Sequence, residues 1–187
     1  MPAAVTDEQN RVDREALLDA AEKLFYEHGI QAVGMDQVRA ASGLSLKRIY
    51  RFFEAKEDLV VAMLKRRDER WRGSLAAQVE QVEDPRERVL AIFDWLAEWF
   101  AEPGFRGCAW INAHGEFGPS SGAVLAEVRA HKRAFHRQIE NWVRATGRPV
   151  AEPVYLLAEG AIVTAGISGD PAPARQAREA VKTLLGE

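Results

Sequence analysis

The sequence predicts an all-α protein of about nine helices. Apolar residues recur at steps of three and four positions along most of the 187 residues, which is the period of an amphipathic helix. Alternation of apolar and polar residues, the pattern of a half-buried strand, never continues for more than a few positions. The 47% apolar content excludes a disordered chain, and the length suits one domain or one core with a small appendage.

Capping residues mark the ends of the first three predicted helices. We expect Asp13 to open the first helix and Gly29 to close it in the left-handed conformation. A second, short helix over residues 36–42 ends at Gly43, because glycine tolerates the positive φ of a tight turn. Ser45 is a good N-cap for a third short helix. Two short helices are therefore expected around one glycine turn.

The remaining predicted helices are recognised by their apolar faces and by proline and serine starts. Proline suits the first position of a helix, because its missing N–H would have no partner there. Residues 153–167 are apolar on nearly every face, so we expect that helix to be buried on several sides. Three helices are predicted to start at Lys56, Pro85 and Ser121. Three further segments are predicted over residues 108–117, 153–167 and 172–185.

The short helices on either side of Gly43 are typical of a helix-turn-helix. Ile49 is expected to face inward, which leaves three bases on the opposite side of the second helix: Lys47, Arg48 and Arg51. Lysine and arginine can donate to guanine edges in the major groove and to phosphates. The pattern alone leaves two interpretations open, a DNA-reading helix and a solvated face with scattered ion pairs.

The net charge of −3 hides an uneven distribution. Residues 39–72 carry ten lysines and arginines against five acids, whereas residues 1–38 carry three bases against eight acids. A basic block inside an acidic chain is typical of a surface that faces phosphate. The second short helix lies inside that block.

Several classes of protein are excluded by motifs that the sequence lacks. Cys108 is the only cysteine, which excludes an internal disulfide and a cysteine-built metal site. The sequence has no Gly-rich phosphate loop, paired-histidine metal motif or nucleophile elbow, so we expect no enzyme, no metal and no cofactor. It also has no secretory signal and no apolar run of membrane length, so we expect a cytoplasmic protein without a membrane partner.

Residues 14–67 resemble the N-terminal domain of the TetR family of bacterial transcriptional regulators. The resemblance implies a homodimer with a flexible arm over residues 1–10, a helix-turn-helix DNA-binding domain over 11–55 and a ligand-binding and dimerisation domain over 56–187. The residues that carry it are Leu17, Ala20, Ala21, Leu24, Phe25, Gly29, Val38, Ala41, Gly43, Ser45, Ile49, Tyr50, Phe53, Lys56, Glu57 and Leu59.

The resemblance also implies the residues that contact double-stranded DNA. Lys47, Arg48 and Arg51 fall where family members contact bases or nearby phosphates, and Tyr50 and Lys56 fall where they contact the backbone. Together with Ser45, these residues form the expected DNA-binding set. The family usually has Ser or Thr near residues 34–35 to cap the second helix; here Asp36 or a backbone amide must serve.

The C-terminal part is expected to hold the ligand pocket and the dimer interface. For each aromatic residue taken alone, ordinary core packing remains the alternative. The expected pocket residues are Trp95, Trp99, Trp110, Asn112, His114, Phe117, His131 and Phe135. The expected interface residues, on the last two helices, are Leu157, Ala161, Ile162, Ala165, Val181 and Leu184.

The resemblance points to a repressor that an unknown small apolar or amphipathic effector releases from a palindromic operator. Two alternatives stay open. One is an activator on the same fold. The other is a regulator that responds to oxidants or electrophiles through Cys108, because a thiol at a predicted helix start has a lowered pKa.

Overall fold

The computed structural model describes residues 6–186, and over these residues the fold is all-α. The sequence prediction of fold class and helix number is confirmed: nine α-helices and one short 3-10 turn make up the described chain. The helices are α1 Asp7–His28, α2 Met35–Ser42, α3 Leu46–Phe52, α4 Lys56–Val79, α5 Pro85–Phe100, α6 Ala109–Phe117, α7 Gly122–Arg144, α8 Ala151–Ser168 and α9 Ala172–Leu185.

The start of α1 differs from the prediction. Thr6 caps this helix, since its hydroxyl oxygen accepts a hydrogen bond from the N–H of Gln9 at 3.1 Å. The helix therefore begins at Asp7 rather than near Asp13, and residues 7–10 of the expected arm are helical. The first five residues of that arm lie outside the described residues.

Two later helices begin where their caps predict. The Asp84 carboxylate accepts from the N–H groups of Arg86 and Glu87, both at 2.9 Å, and Pro85 occupies the first turn of α5. The Ser121 hydroxyl accepts from the N–H of Val124 at 3.3 Å at the start of α7. Local side-chain caps thus set both starts, as the sequence indicates.

The described chain forms two compact units. The first contains the described residues up to Arg67 together with Asn112–Glu127, and α1 packs on α2 and α2 on α3 within it. Leu17, Val38 and Ile49 are completely buried in its core. The functional domains expected over residues 11–55 and 56–187 remain predictions.

The second unit contains Asp68–Ile111 and the described residues from Val128 onward. Here α5 packs against α8 and α9, and α8 packs against α9. Small residues allow close backbone contact: a Cβ added to Gly166 would lie 2.9 Å from the Cα of Gly107. Among the described helices, none has the length and apolar character that crossing a membrane requires.

Candidate DNA-binding surface and aromatic centre

The turn between α2 and α3 has the geometry that the sequence predicts. Gly43 adopts φ 70°, in the left-handed region, and its N–H donates to the carbonyl of Arg39 at 3.1 Å. Ser45 then caps α3, because its hydroxyl accepts from the N–H of Arg48 at 3.2 Å. Two short helices are thereby joined by a tight corner, which is the helix-turn-helix arrangement.

The N-terminus of α2 is closed in a way that the sequence did not predict. Gly34 is the N-cap, and its N–H donates to the side-chain oxygen of Gln37 at 2.7 Å. Asp36, one of the two capping groups that the sequence left open, instead pairs with Arg39 at 3.2 Å. The glutamine reaches back to the cap because position N3 lies directly over it.

Three of the expected DNA-contacting residues are exposed on α3. Lys47 and Arg51 are exposed, and 45% of the Tyr50 surface is accessible. The opposite side of the helix carries Ile49, which is completely buried, so the apolar face of α3 packs into the core of the first unit. Its outer face is left available for a ligand.

Arg48 is not exposed, and the expectation that it joins the other two bases on the free face is wrong. Its Nε lies 2.8 Å from Oδ2 of Asp13, and its Nη2 donates to Oδ1 of Asn10 at 2.7 Å. Its guanidinium also lies over the ring of Phe52, 4.6 Å from the ring centre. Only 14% of the Arg48 side chain is accessible, because it faces α1. Hydrogen bonds from Gln9 and Arg48 lower the pKa of Asp13.

The ammonium of Lys56 is also engaged within the first unit. Its Nζ donates to the carbonyl of Ile30 at 2.5 Å and to that of Val33 at 2.6 Å. Burial lowers the pKa of Lys56, and the negative charge of Glu116 partly opposes this shift. Lys56 therefore binds the turn between α1 and α2.

Sequence reasoning missed the role of Glu116 in the same turn. One carboxylate oxygen accepts from the N–H of Ile30 at 2.9 Å, and the other accepts from the N–H of Gln31 at 2.6 Å. Eighty-six positions separate Glu116 from Ile30 along the chain. No local pattern could have revealed this contact.

An aromatic cluster occupies the second unit, with Trp71 at its centre. The ring of Trp71 meets Trp95 at 5.2 Å, Trp99 at 5.3 Å, His131 at 5.5 Å and Phe135 at 5.1 Å between centres. Four of the expected pocket residues are therefore brought together. Trp71 itself was not among the expected pocket residues.

A histidine–aspartate pair lies beside this cluster. Nδ1 of His131 is 2.6 Å from Oδ1 of Asp68, and Nη2 of Arg72 is 2.6 Å from Oδ2 of the same carboxylate. The His131 side chain is 2% accessible and stacks on Trp110, with 3.5 Å between ring centres. Burial raises the pKa of Asp68, but hydrogen bonds from His131 and Arg72 outweigh it and lower the value to about 2.

Two indole nitrogens in this region lack an acceptor. Among the described residues, Nε1 of Trp71 and Nε1 of Trp110 are buried without a hydrogen-bond partner. A buried donor without a partner costs free energy, and a ligand that brings an acceptor would remove that cost.

The other three expected pocket residues belong to the first unit. Asn112 and His114 are exposed, whereas Phe117 is buried. The structure thus groups five of the eight expected residues (Trp95, Trp99, Trp110, His131 and Phe135) in one unit and these three in the other.

Cys108 lies beside a lysine. Nζ of Lys132 is 3.5 Å from its sulfur and 2.6 Å from Oε2 of Glu159. Burial raises the pKa of the Cys108 thiol, but a hydrogen bond with His131 and the positive charge of Lys132 outweigh burial and lower it below its usual value.

The outer face of α8 and α9 differs in detail from the predicted interface. Four expected interface residues, Ala161, Ile162, Ala165 and Val181, are buried within their own chain, because the small side chains of α8 let α9 approach closely. Leu156 is 59% accessible and Ile167 is 83% accessible. These exposed apolar residues, with the expected Leu157 and Leu184, define the apolar face of this helix pair.

That face includes a groove of about 270 Å³ between α8 and α9. Its lining residues are Leu156, Leu157, Gly160, Ala161, Thr164, Pro173, Gln176 and Ala177.

Comparisons with known proteins agree with these features. A model of the family described as "Bacterial regulatory proteins, tetR family" matches residues 17–63. The chain is 30% identical over 133 residues to the HTH-type transcriptional repressor ComR of Escherichia coli, a match that covers 70% of this chain and 63% of ComR. It is 30% identical over 103 residues to the HTH-type transcriptional activator FasR of Mycolicibacterium smegmatis, a match that covers 51% of this chain and 47% of FasR. The chain therefore spans less than two thirds of these curated relatives.

Solved structures extend the similarity to the whole fold. SCO4454, a TetR-family transcriptional regulator from Streptomyces coelicolor, superposes with a TM-score of 0.84 at 26% identity. The superposition covers 94% of this chain and 95% of SCO4454. The likeness therefore includes the second unit as well as the helix-turn-helix.

Proposed function

The chain belongs to the TetR family of bacterial regulatory proteins, and from this premise we propose that it is a DNA-binding transcriptional regulator acting as a homodimer. The family is one of regulators rather than enzymes. The observation that carries the proposal is the outer face of α3, the helix that follows the turn at Gly43, where Lys47, Tyr50 and Arg51 are exposed.

Lys47 and Arg51 are one helical turn apart, so their side chains lie on the same face of α3. In the major groove, each can donate to guanine O6 and N7 or to a phosphate, and the Tyr50 hydroxyl can donate to a phosphate. Arg48 has a different role in this proposal. Its contacts with Asp13 and Asn10 hold α3 against α1, so it positions the reading helix.

The apolar face of α8 and α9 is the proposed dimer interface. Leu156 and Ile167 expose large apolar surface, and a twofold pairing would bury the same residues on both subunits. Such a dimer presents two copies of α3 related by a twofold axis. The operator is then palindromic, with half-sites one turn of DNA apart or slightly more.

Selection of bound sequences from random DNA tests this function directly. We expect a palindrome to be enriched. Lys47→Ala and Arg51→Ala should each weaken binding by about 1–3 kcal/mol, and loss of a phosphate contact should reduce the salt dependence by about one ion. Arg175→Ala is the matched control, because it removes the same charge from an exposed position on α9.

Failure to enrich any sequence would contradict the proposal. Equal affinities for Lys47→Ala, Arg51→Ala and Arg175→Ala would show that α3 does not read DNA, even if the chain binds it elsewhere.

We propose further that the regulator is a repressor and that a small amphipathic effector releases it from DNA. The buried indole donors of Trp71 and Trp110 support an effector that combines an apolar ring system with hydrogen-bond acceptors. If the effector lowers the affinity of the protein for DNA, then DNA must lower the affinity for the effector by the same factor. Because ComR is a repressor and FasR an activator, the direction of regulation is decided by a promoter assay with and without the gene.

The surroundings of Cys108 support a second candidate, a regulator that responds to oxidants or electrophiles. Lys132 lies 3.5 Å from the sulfur, and its charge stabilises the thiolate that reacts with electrophiles. Cys108 is 5% exposed, so a small reagent is the appropriate probe.

The pH profile of alkylation by iodoacetamide, in which the sulfur displaces iodide, tests this candidate. We expect the midpoint for Cys108 in the folded chain to lie below that of an ordinary cysteine, because Lys132 and His131 stabilise the thiolate. Lys132→Met should move the midpoint to higher pH. A thiol that is inert in the folded protein, or a midpoint that Lys132→Met does not move, contradicts the candidate.

A further inference from the structure

The turn that joins α1 to α2 is held through both kinds of backbone group. Its N–H groups at Ile30 and Gln31 donate to the two carboxylate oxygens of Glu116, at 2.9 and 2.6 Å. Its carbonyls at Ile30 and Val33 accept from Nζ of Lys56, at 2.5 and 2.6 Å. A short irregular segment is therefore fixed by two opposite charges from two other helices.

A second side-chain contact within the first unit joins the residue before α7 to α4. The Ser121 hydroxyl, in a residue that is 3% accessible, donates to Oε2 of Glu57 at 2.6 Å. Glu57 follows Lys56 in the first turn of α4, whereas Ser121 and Glu116 lie on either side of the connection from α6 to α7. The residue before α7 is thus bound to α4, and the end of α6 is bound to the α1–α2 turn.

The position of α1 matters to α3, the helix that carries the exposed bases. Near its start, α1 supplies Asn10 and Asp13, which hold Arg48 of α3. Beyond its C-terminus, the backbone is held by Glu116 and Lys56. Displacing that end of α1 would move the residues against which α3 is seated.

We propose that Glu116 is a positioning residue for DNA recognition: by holding the α1–α2 turn, it keeps α1 in the place against which α3 is seated. The inference rests on the proposed DNA-binding function. Glu116 binds the backbone through both of its oxygens, so the loss of its carboxylate breaks two charge-assisted hydrogen bonds together.

Measuring the affinity of the full-length protein for its selected operator tests this role, because the sign of the effect is informative. Glu116→Gln removes a negative charge, which alone would tighten binding to DNA. If Glu116 positions the turn, we expect the opposite result, a loss of about tenfold in operator affinity, because the glutamine side chain offers only one acceptor oxygen. The slope of affinity against salt should not change, since Glu116 touches no phosphate. Glu54→Gln, an exposed change in the same unit, should bind as tightly as the wild type or more tightly.

Two further measurements keep the result independent of misfolding and of the DNA-binding proposal. Glu116→Asp keeps the charge but shortens the side chain, and it should also weaken binding. In the free protein, the amides of Ile30 and Gln31 should exchange hydrogen at least about tenfold faster in Glu116→Gln, while the amide of Ile49 remains protected.

The outcomes separate the two proposals. If the wild type binds no DNA, the proposed function fails and the exchange rates still decide whether Glu116 holds the turn. If the wild type binds DNA and Glu116→Gln binds equally well or more tightly, or if the exchange rates are unchanged, the positioning role is overturned.

Discussion

Replacing Trp71 by alanine is expected to lower the free energy of unfolding by about 4 kcal/mol. The side chain is 8% accessible and contacts four other rings at 5.1 to 5.5 Å between centres. Its removal leaves a large cavity and ends four edge-to-face contacts, each of which adds about 0.5–1.5 kcal/mol beyond the buried area. Equilibrium unfolding in urea measures the loss.

Trp71→Phe separates packing from hydrogen bonding at this position. Because the indole nitrogen has no acceptor among the described residues, phenylalanine gives up no hydrogen bond, and we expect a loss of about half that of alanine. Tyr50→Ala, at an exposed site on α3, should change stability by less than about 0.5 kcal/mol. A loss below about 1.5 kcal/mol for Trp71→Ala would show that the cluster is not a closely packed core.

Helix ends were predictable where both the cap and the apolar pattern are local. Ser45, Gly43 and Pro85 each lie directly beside the helix that they begin or end, and each serves as the sequence predicts. Thr6 was missed for a physical reason. It is followed by the polar residues 7–10, so no apolar periodicity marks the first turn of α1, and the cap alone sets the start.

The site was predictable only as far as a helical wheel describes one helix at a time. A helical wheel correctly predicts that Lys47 and Arg51 are exposed, since the side on which they lie depends only on which face of α3 is buried. It fails for Arg48, because the ion pair with Asp13 joins residues 35 positions apart. The contact of Glu116 with the α1–α2 turn is a tertiary contact of the same kind. Long-range polar partners leave no periodic signal in a sequence.

Replacing Asp68 by alanine is expected to destabilise the protein by about 3 kcal/mol, because it leaves His131 and Arg72 without the carboxylate that accepts their hydrogen bonds. The carboxylate is the acceptor for His131 at 2.6 Å and for Nε of Arg72 at 2.8 Å. His131 is 2% accessible and cannot recover its hydrogen bond from water. The double replacement Asp68→Leu with His131→Phe removes both members of the buried pair, and it should cost less than Asp68→Ala alone.

The pH dependence of this pair gives a second test with a definite sign. The pKa of Asp68 in the folded protein is about 2, below the usual 3.8, so the ionised carboxylate stabilises the folded state. That contribution is complete above about pH 4 and is lost as the pH falls towards 2. The difference in unfolding free energy between the wild type and Asp68→Ala should therefore narrow over this range, as measured by urea unfolding at successive pH values. A difference that stays constant from pH 5 to about pH 2.5 would mean that Asp68 packs as a neutral group and that its hydrogen bonds with His131 and Arg72 do not depend on its charge.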